Sequence, residues 1–236
     1  MRVAIKNPEW VLPLIVVLLL TPFFSHLDLA ITGFFYSIGN DPVEHFVSHP
    51  ILDYLYLYGP YPAQMTAGIA SLILVLSYIR KSLTKWRAPA LTLILTLSMG
   101  AGFITHLALK DQWGRPRPKQ VKEFGGSQNF RPFYQPNFFK QPMPSRSFPC
   151  GHCTTGFFFF ALALIGKRMK NNTLKRIGFT LAWSLGIALS VARIAQGGHF
   201  FSDTVFSAAI MWYTALIMDW LVYSNENAYS IAKASV

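Results

Sequence analysis

Long apolar runs separated by short polar stretches dominate the chain. Six can be marked, at residues 10–24, 51–79, 88–109, 153–165, 177–195 and 200–223. A helix needs about 20 residues to span the hydrocarbon core of a bilayer. The pattern therefore predicts an all-α integral membrane bundle of six helices, with residues 1–236 forming one domain and a long outer loop between helices three and four. The fourth run is short unless its helix begins near Gly151. The first has a charged start, but the following "TPFFSHLDL" offers no small-residue cleavage site, so it reads as an anchor helix and not as a removed signal.

Basic residues at alternate ends of the runs set an orientation. Arg2 and Lys6 precede the first; Arg80, Lys81, Lys85 and Arg87 join the second to the third; Lys167, Arg168, Lys170, Lys175 and Arg176 join the fourth to the fifth. The positive-inside rule makes those ends cytoplasmic, with both termini inside. Residues 28–50 then lie outside, carrying Asp28, Asp41 and Glu44 but no Lys or Arg. One outer segment breaks the rule: 110–147 holds Lys110, Arg115, Arg117, Lys119, Lys122, Arg131, Lys140 and Arg146. Eight cations on the wrong side call for a reason other than topology.

Composition narrows the class. Hydrophobic residues make up 52% and charged ones only 13%, against about 25% charged in a soluble domain. The net charge of +11 suits an anionic lipid or another phosphate-bearing partner. Nucleic acid fits poorly, because the cations are spread between apolar runs. Nothing in the sequence demands a protein partner. Two cysteines allow one disulfide at most.

The polar residues that remain gather at the outer ends of runs three to six. Lys110 closes the third and begins "KDQWGRPRP"; His152 opens the fourth within "PCGHC"; Arg193 closes the fifth; Gly197–Gly198 turn the chain, and His199 and Asp203 open the sixth. A charge at the bilayer centre costs on the order of 2.5–3.5 kcal/mol and less near the ends, so such groups are usually functional. His199 and Asp203, four apart, share a helical face. A carboxylate holding one imidazole nitrogen leaves the other as a basic lone pair, a nucleophile or general base. Lys110, Arg117 and Arg193 supply the clamp that stabilises a transferring phosphoryl group. Gly151 stands where a helix start offers backbone N–H groups to an anion, and a protonated His152 can give its proton to a departing oxygen. A neutral His199 and a protonated His152 together predict a rate that peaks between two apparent pKa values.

With six residues between Lys110 and Arg117–Pro118, then "PCGH", then Arg193 followed by His199 and Asp203, the chain resembles the type 2 phosphatidic acid phosphatase superfamily. That family's pattern is K-x6-R-P, P-S-G-H and S-R-x5-H-x3-D, here at 110–118, 149–152 and 193–203. The resemblance implies that His199 forms a phosphohistidine oriented by Asp203 and that His152 protonates the leaving alkoxide. It also implies that Lys110, Arg117 and Arg193, with Cys150 and Gly151, hold the phosphate, and that neither metal nor cofactor is needed. Two positions depart from the pattern: Cys150 and Ala192 stand where the family has serine. The lost hydroxyl at 150 costs roughly 1–3 kcal/mol at most.

The expected partner is a lipid phosphate, with lipid A placed first and phosphatidylglycerophosphate, phosphatidic acid or undecaprenyl diphosphate as alternatives. The expected location is a bacterial inner membrane with the site facing the periplasm. Transfer of the phosphate to a second lipid is an alternative to hydrolysis. Read alone, C-G-H-C also suggests a thiol–disulfide oxidoreductase using Cys150 and Cys153, but no βαβ pattern surrounds it, and a zinc knuckle would need a second one. Of the other positions, His26, His45, His49 and His106 read as satisfied or solvated histidines. Phe157–Phe160 read as lipid- and core-facing helix, and Arg115 as either a fourth phosphate contact or a solvent-facing loop residue. "KEFGGSQNFRPFYQPNFF" reads as a connector or as a cover over the site.

Overall fold

The computed structural model describes residues 8–138 and 145–234, with side chains as far as residue 224. Arg2, Lys6 and Lys140, used above for orientation and charge, lie outside the described residues. Helices α1 (Pro8–Leu20) and α2 (Phe24–Ser37) are joined by one tight turn, and α3 (Pro50–Tyr58) passes directly into α4 (Tyr61–Ile79). Next comes α5 (Arg87–Thr96), which continues as a π-helical stretch, Leu97–Lys110. Then follow α6 (Gly151–Phe157), α7 (Phe160–Arg168), α8 (Asn172–Ala195) and α9 (Phe201–Ala234). Among the described residues there is no strand, only one isolated bridge between Val121 and Gln128.

Among the described residues, five helical stretches are long and apolar enough to cross a membrane: Pro8–Ser37, Pro50–Ile79, Lys81–Lys110, Asn172–Ala195 and Phe201–Ser224. Their outward faces carry Leu19, Met65, Val75, Ile187 and Trp220, all well exposed. In water such a surface would aggregate; in lipid it is the expected belt.

Three expectations change here. Asp28 does not sit in an outer loop: the first helical stretch runs on to Ser37, and Asp28 is fully buried inside α2. Asp28 is accommodated there by Arg115, 87 residues later, which pairs with it at 2.7 Å. The fourth run is not one long helix either. It breaks between α6 and α7 at Phe158–Phe159 and is too short to count among the five spans. All four phenylalanines, Phe157 to Phe160, are at most 4% exposed, so none faces lipid. They form the centre of the main core, with Phe160 edge-on to Trp183 and Trp212.

Helices α6 and α7 lie against α8 at backbone distance. A Cβ added to Gly156 would stand 2.7 Å from the Gly186 Cα, and one on Gly178 2.3 Å from the Ala163 nitrogen. Only glycine permits such an approach. This seam fixes the start of α6 relative to the end of α8. A second, smaller core of Phe46, Val121, Phe124 and Phe200, joined by Tyr36 and Phe130, packs the segment after Lys110 onto the ends of α2 and α9. That segment is therefore more than a connector, because its aromatic side chains hold Arg115 and Arg117 over the bundle end.

Candidate active site

Six elements converge at this end. Lys110 ends the π-helical stretch, Arg117 opens a short turn over Pro118–Gln120, and His152 lies in the first turn of α6. Arg193 is in the last turn of α8, His199 precedes α9, and Asp203 is in its first turn. The turn between α8 and α9 follows from Gly197, whose φ of +63° is open to glycine. The Arg193 carbonyl accepts from the Gly198 and His199 N–H groups at 2.9 and 3.2 Å, which ties clamp and imidazole into one unit. Gly198 has no side chain because the Arg193 guanidinium occupies that space, 2.1 Å from where a Cβ would be.

The charges form one field. Lys110 interacts with Arg117, Arg193 and Asp203, while His152 feels Arg193, Lys110 and His106. Arg193 is 8% exposed, with one nitrogen bonded to Gln196 Oε1 at 2.6 Å and its buried Nε without a partner. A guanidinium with a spare buried donor is suited to an incoming anion. A pocket of about 310 Å³ opens beside it, lined by the cations Arg117, Lys119 and Arg193 and the acids Asp41, Glu44 and Asp53.

His199 is 1% exposed, and its Nδ1 lies 2.5 Å from the Ser147 carbonyl oxygen. A carbonyl only accepts, so Nδ1 carries the proton and Nε2 keeps its lone pair. The Asp203 carboxylate stands 3.6 Å from the same nitrogen, an ion-pair distance and no direct hydrogen bond. It accepts instead from Ser147 Oγ at 2.6 Å, from the Phe200 N–H at 2.8 Å and from Arg115 at 2.5 Å. Burial, aided by the Lys110 and Arg193 cations and opposed by Asp203, pushes the His199 imidazole down to about 3. The ring is thus neutral at neutral pH. Burial and the same cations push His152 down to about 4; it lies, like His199, outside the five spans.

Sequence reasoning missed several neighbours. Tyr56 of α3 stacks on the His152 ring at 4.6 Å and lies 4.6 Å from the Arg193 guanidinium, bracing both. His106, read as an ordinary histidine, faces Gly151: a Cβ there would stand 2.7 Å from its Nε2 and 3.3 Å from Lys110 Nζ. Its spacing of four from Lys110 was the available signal. Ser147 lies just before the "FPCGH" stretch and gave none. Arg115 is neither a phosphate contact nor a solvent-facing residue: it is 1% exposed and bonded to Asp28 and Asp203.

Cys150 and Cys153 are joined in a disulfide, both fully buried. The Cys150 sulfur caps α6 by accepting from the Cys153 N–H, and the Cys150 N–H donates to the Asp203 carbonyl at 3.4 Å. Of the pair expected to bind phosphate, Gly151 keeps its place at the helix start, while Cys150 has both groups engaged elsewhere. Thiol exchange needs access to a sulfur, and burial denies it. Among the described residues, no group of three or more His, Cys, Asp or Glu side chains is placed to hold a metal ion. Replacing Cys150 by Ser and Cys153 by Ala together should leave phosphate release within about threefold, the worth of one weak hydrogen bond. Complete loss of release in a folded double variant would place the sulfurs in the chemistry.

Residues 91–226 match the family described as the PAP2 superfamily, spanning the lysine, both arginines, both histidines and Asp203. The chain belongs to the PAP2 superfamily. A relative of this PAP2 protein, the lipid A 4'-phosphatase of Francisella tularensis subsp. novicida (strain U112), is 32% identical over 205 residues, covering 85% of this chain and 86% of that protein. The lipid A 4'-phosphatase of Rhizobium leguminosarum is 28% identical over 124 residues, 52% of this chain and 48% of its own. No solved structure matches.

Proposed function

We propose that this PAP2 protein is a membrane lipid phosphatase that removes a phosphate from the head group of lipid A, by hydrolysis through a phosphohistidine. The observation that carries the reading is the pair Lys110 and Arg193 beside a neutral, buried His199, with Arg117 next to both cations. His199 Nε2 attacks phosphorus while the bond to the leaving oxygen breaks, and His152 gives that oxygen its proton. Neutral His152 then takes a proton from water as the hydroxide attacks the phosphohistidine, releasing phosphate and restoring both rings. The three cations hold the equatorial oxygens as charge shifts, and the Gly151 N–H adds a donor. Asp203, with the Ser147 carbonyl, keeps His199 in the productive tautomer.

A resting His152 with a pKa of about 4 is a neutral base. A bound phosphate brings negative charge that offsets the cations responsible for part of that shift, so the substrate itself helps to charge the acid. The polar pocket beside Arg193 suits a hydroxylated head group better than an acyl chain. Together with both relatives' names, this favours lipid A, at the 4' position. The six-pass topology would be completed by α6 and α7 as a broken sixth crossing, all within a single domain. The positive-inside pattern supports cytoplasmic termini, with the site at the periplasmic face of an inner membrane.

The test is a panel of purified lipids in detergent: lipid A, phosphatidylglycerophosphate, phosphatidic acid and undecaprenyl diphosphate, read as inorganic phosphate. Lipid A should give the highest kcat/KM, and release should need no acceptor lipid. Faster turnover of a glycerol lipid would overturn the choice of substrate, and acceptor-dependent release would make the protein a transferase.

A further inference from the structure

Asp28 lies upstream of the segment that matches the family, in a helix otherwise apolar enough to be only an anchor. Its carboxylate is nonetheless fully buried and fully engaged. One oxygen accepts from the Ser202 N–H at 2.7 Å; the other accepts from Ser202 Oγ and from Arg115 Nη2, each at 2.7 Å. Arg115 in turn donates from Nη1 to Asp203 Oδ1 and to Ser202 Oγ, and from Nε to the Arg131 carbonyl at 2.9 Å. Its guanidinium lies 4.5 Å from the Phe200 ring centre. Every nitrogen of Arg115 is committed to protein, away from the phosphate clamp.

We propose that Asp28 and Arg115 are positioning residues for the nucleophile, forming with Asp203 a buried carboxylate–guanidinium–carboxylate chain that sets how strongly Asp203 acts on His199. The first two helices then belong to the catalytic unit. The charges facing His199 are Asp203 from α9, Lys110 from the π-helical stretch and Arg193 from α8, beside the Ser147 carbonyl dipole. Those facing Asp203 are Arg115, His199 and Asp28. Arg115 partly neutralises Asp203, and Asp28 partly neutralises Arg115. Removing the guanidinium leaves Asp203 with its full pull on the imidazole, which favours the protonated, non-nucleophilic ring. Removing the charge of Asp28 gives Arg115 wholly to Asp203 and does the opposite.

The inference rests on His199 being the nucleophile. Its test is the pH dependence of kcat/KM on one lipid substrate, so that the substrate's own ionisation is common to all variants. Asp28→Asn should move the acid limb to lower pH and Arg115→Met should move it to higher pH, each by about half a unit or more. In both, kcat should fall about 10–100-fold while KM stays within about threefold, because neither side chain meets the lipid. Arg115→Lys should keep the limb near the wild-type position and recover part of kcat. A purely structural role would lower the amount of active protein without moving the limbs. Limbs that coincide with wild type, or that move together, overturn the proposal. Should Arg115→Met fail to fold, Asp28→Asn beside Arg115→Lys decides, an unshifted Asp28→Asn limb overturning it. A His199→Ala variant that still turns over would sink the nucleophile assignment; unshifted limbs alongside an inactive His199→Ala sink only the role of Asp28 and Arg115.

Discussion

His199→Ala should lower phosphate release on the order of 10⁴-fold or more, the scale seen when the nucleophile of a concerted site is removed. The clamp of Lys110, Arg117 and Arg193 does not depend on the imidazole, so lipid binding should survive. The loss would then appear in kcat with KM little changed. A phosphohistidine is stable in alkali and labile in acid, so wild-type enzyme quenched in alkali during turnover should carry protein-bound phosphate, and His199→Ala should carry none. Label retained on the variant would move the nucleophile elsewhere. The Nδ1 contact with the Ser147 carbonyl leaves Nε2 as the attacking atom in the proposed reaction, and the linkage isomer of the trapped phosphohistidine checks that directly.

The second large effect concerns the leaving group. His152→Ala should slow hydrolysis of a lipid phosphate by about 10²–10⁴-fold, the usual worth of a positioned general acid. An activated aryl phosphate, whose leaving oxygen needs no proton, should suffer far less. Equal losses on both substrates would remove His152 from that role. The wild-type pH profile gives a second readout with a definite sign. The proposed role needs His152 protonated, so activity should hold below its pKa and be lost above it. The free imidazole is held down to about 4 by burial and by Arg193 and Lys110, and bound phosphate opposes those cations. The basic limb of kcat, which reports the complex, should therefore lie at higher pH than the basic limb of kcat/KM, which reports the free enzyme.

The proposed site rests on local spacings that can be read directly in the residues. Lys110 to Arg117, Gly151–His152 and His199 to Asp203 are each short-range patterns, and each lies where an apolar run ends. What escaped was long-range. Asp28 looked like the first residue of an outer loop, since an unpaired acid ends an apolar run. Its partner Arg115 is far along the chain and supplies the charge that lets α2 continue. Arg115 stayed ambiguous for the same reason, and Tyr56 was invisible because only the packing of α3 brings it to His152. The broken fourth run has a tertiary cause that composition hides: four consecutive phenylalanines suggest a continuous apolar helix. Packing all of them inward beside α8 and α9 divides it in two.

The glycine seam between α6–α7 and α8 carries a mechanical consequence. The long spans of 24–30 residues would measure about 36–45 Å if straight, more than the roughly 30 Å hydrocarbon thickness of a typical bilayer, and such helices adapt by tilting. His152 and Arg193, however, ride on helices whose backbones touch near Gly156 and Gly186, and touching backbones cannot slide without collision. When a bilayer thickens or thins with its fatty-acid composition, the peripheral helices can lean to follow it. The proposed acid, His152, and the clamp residue Arg193 would keep their separation under that change.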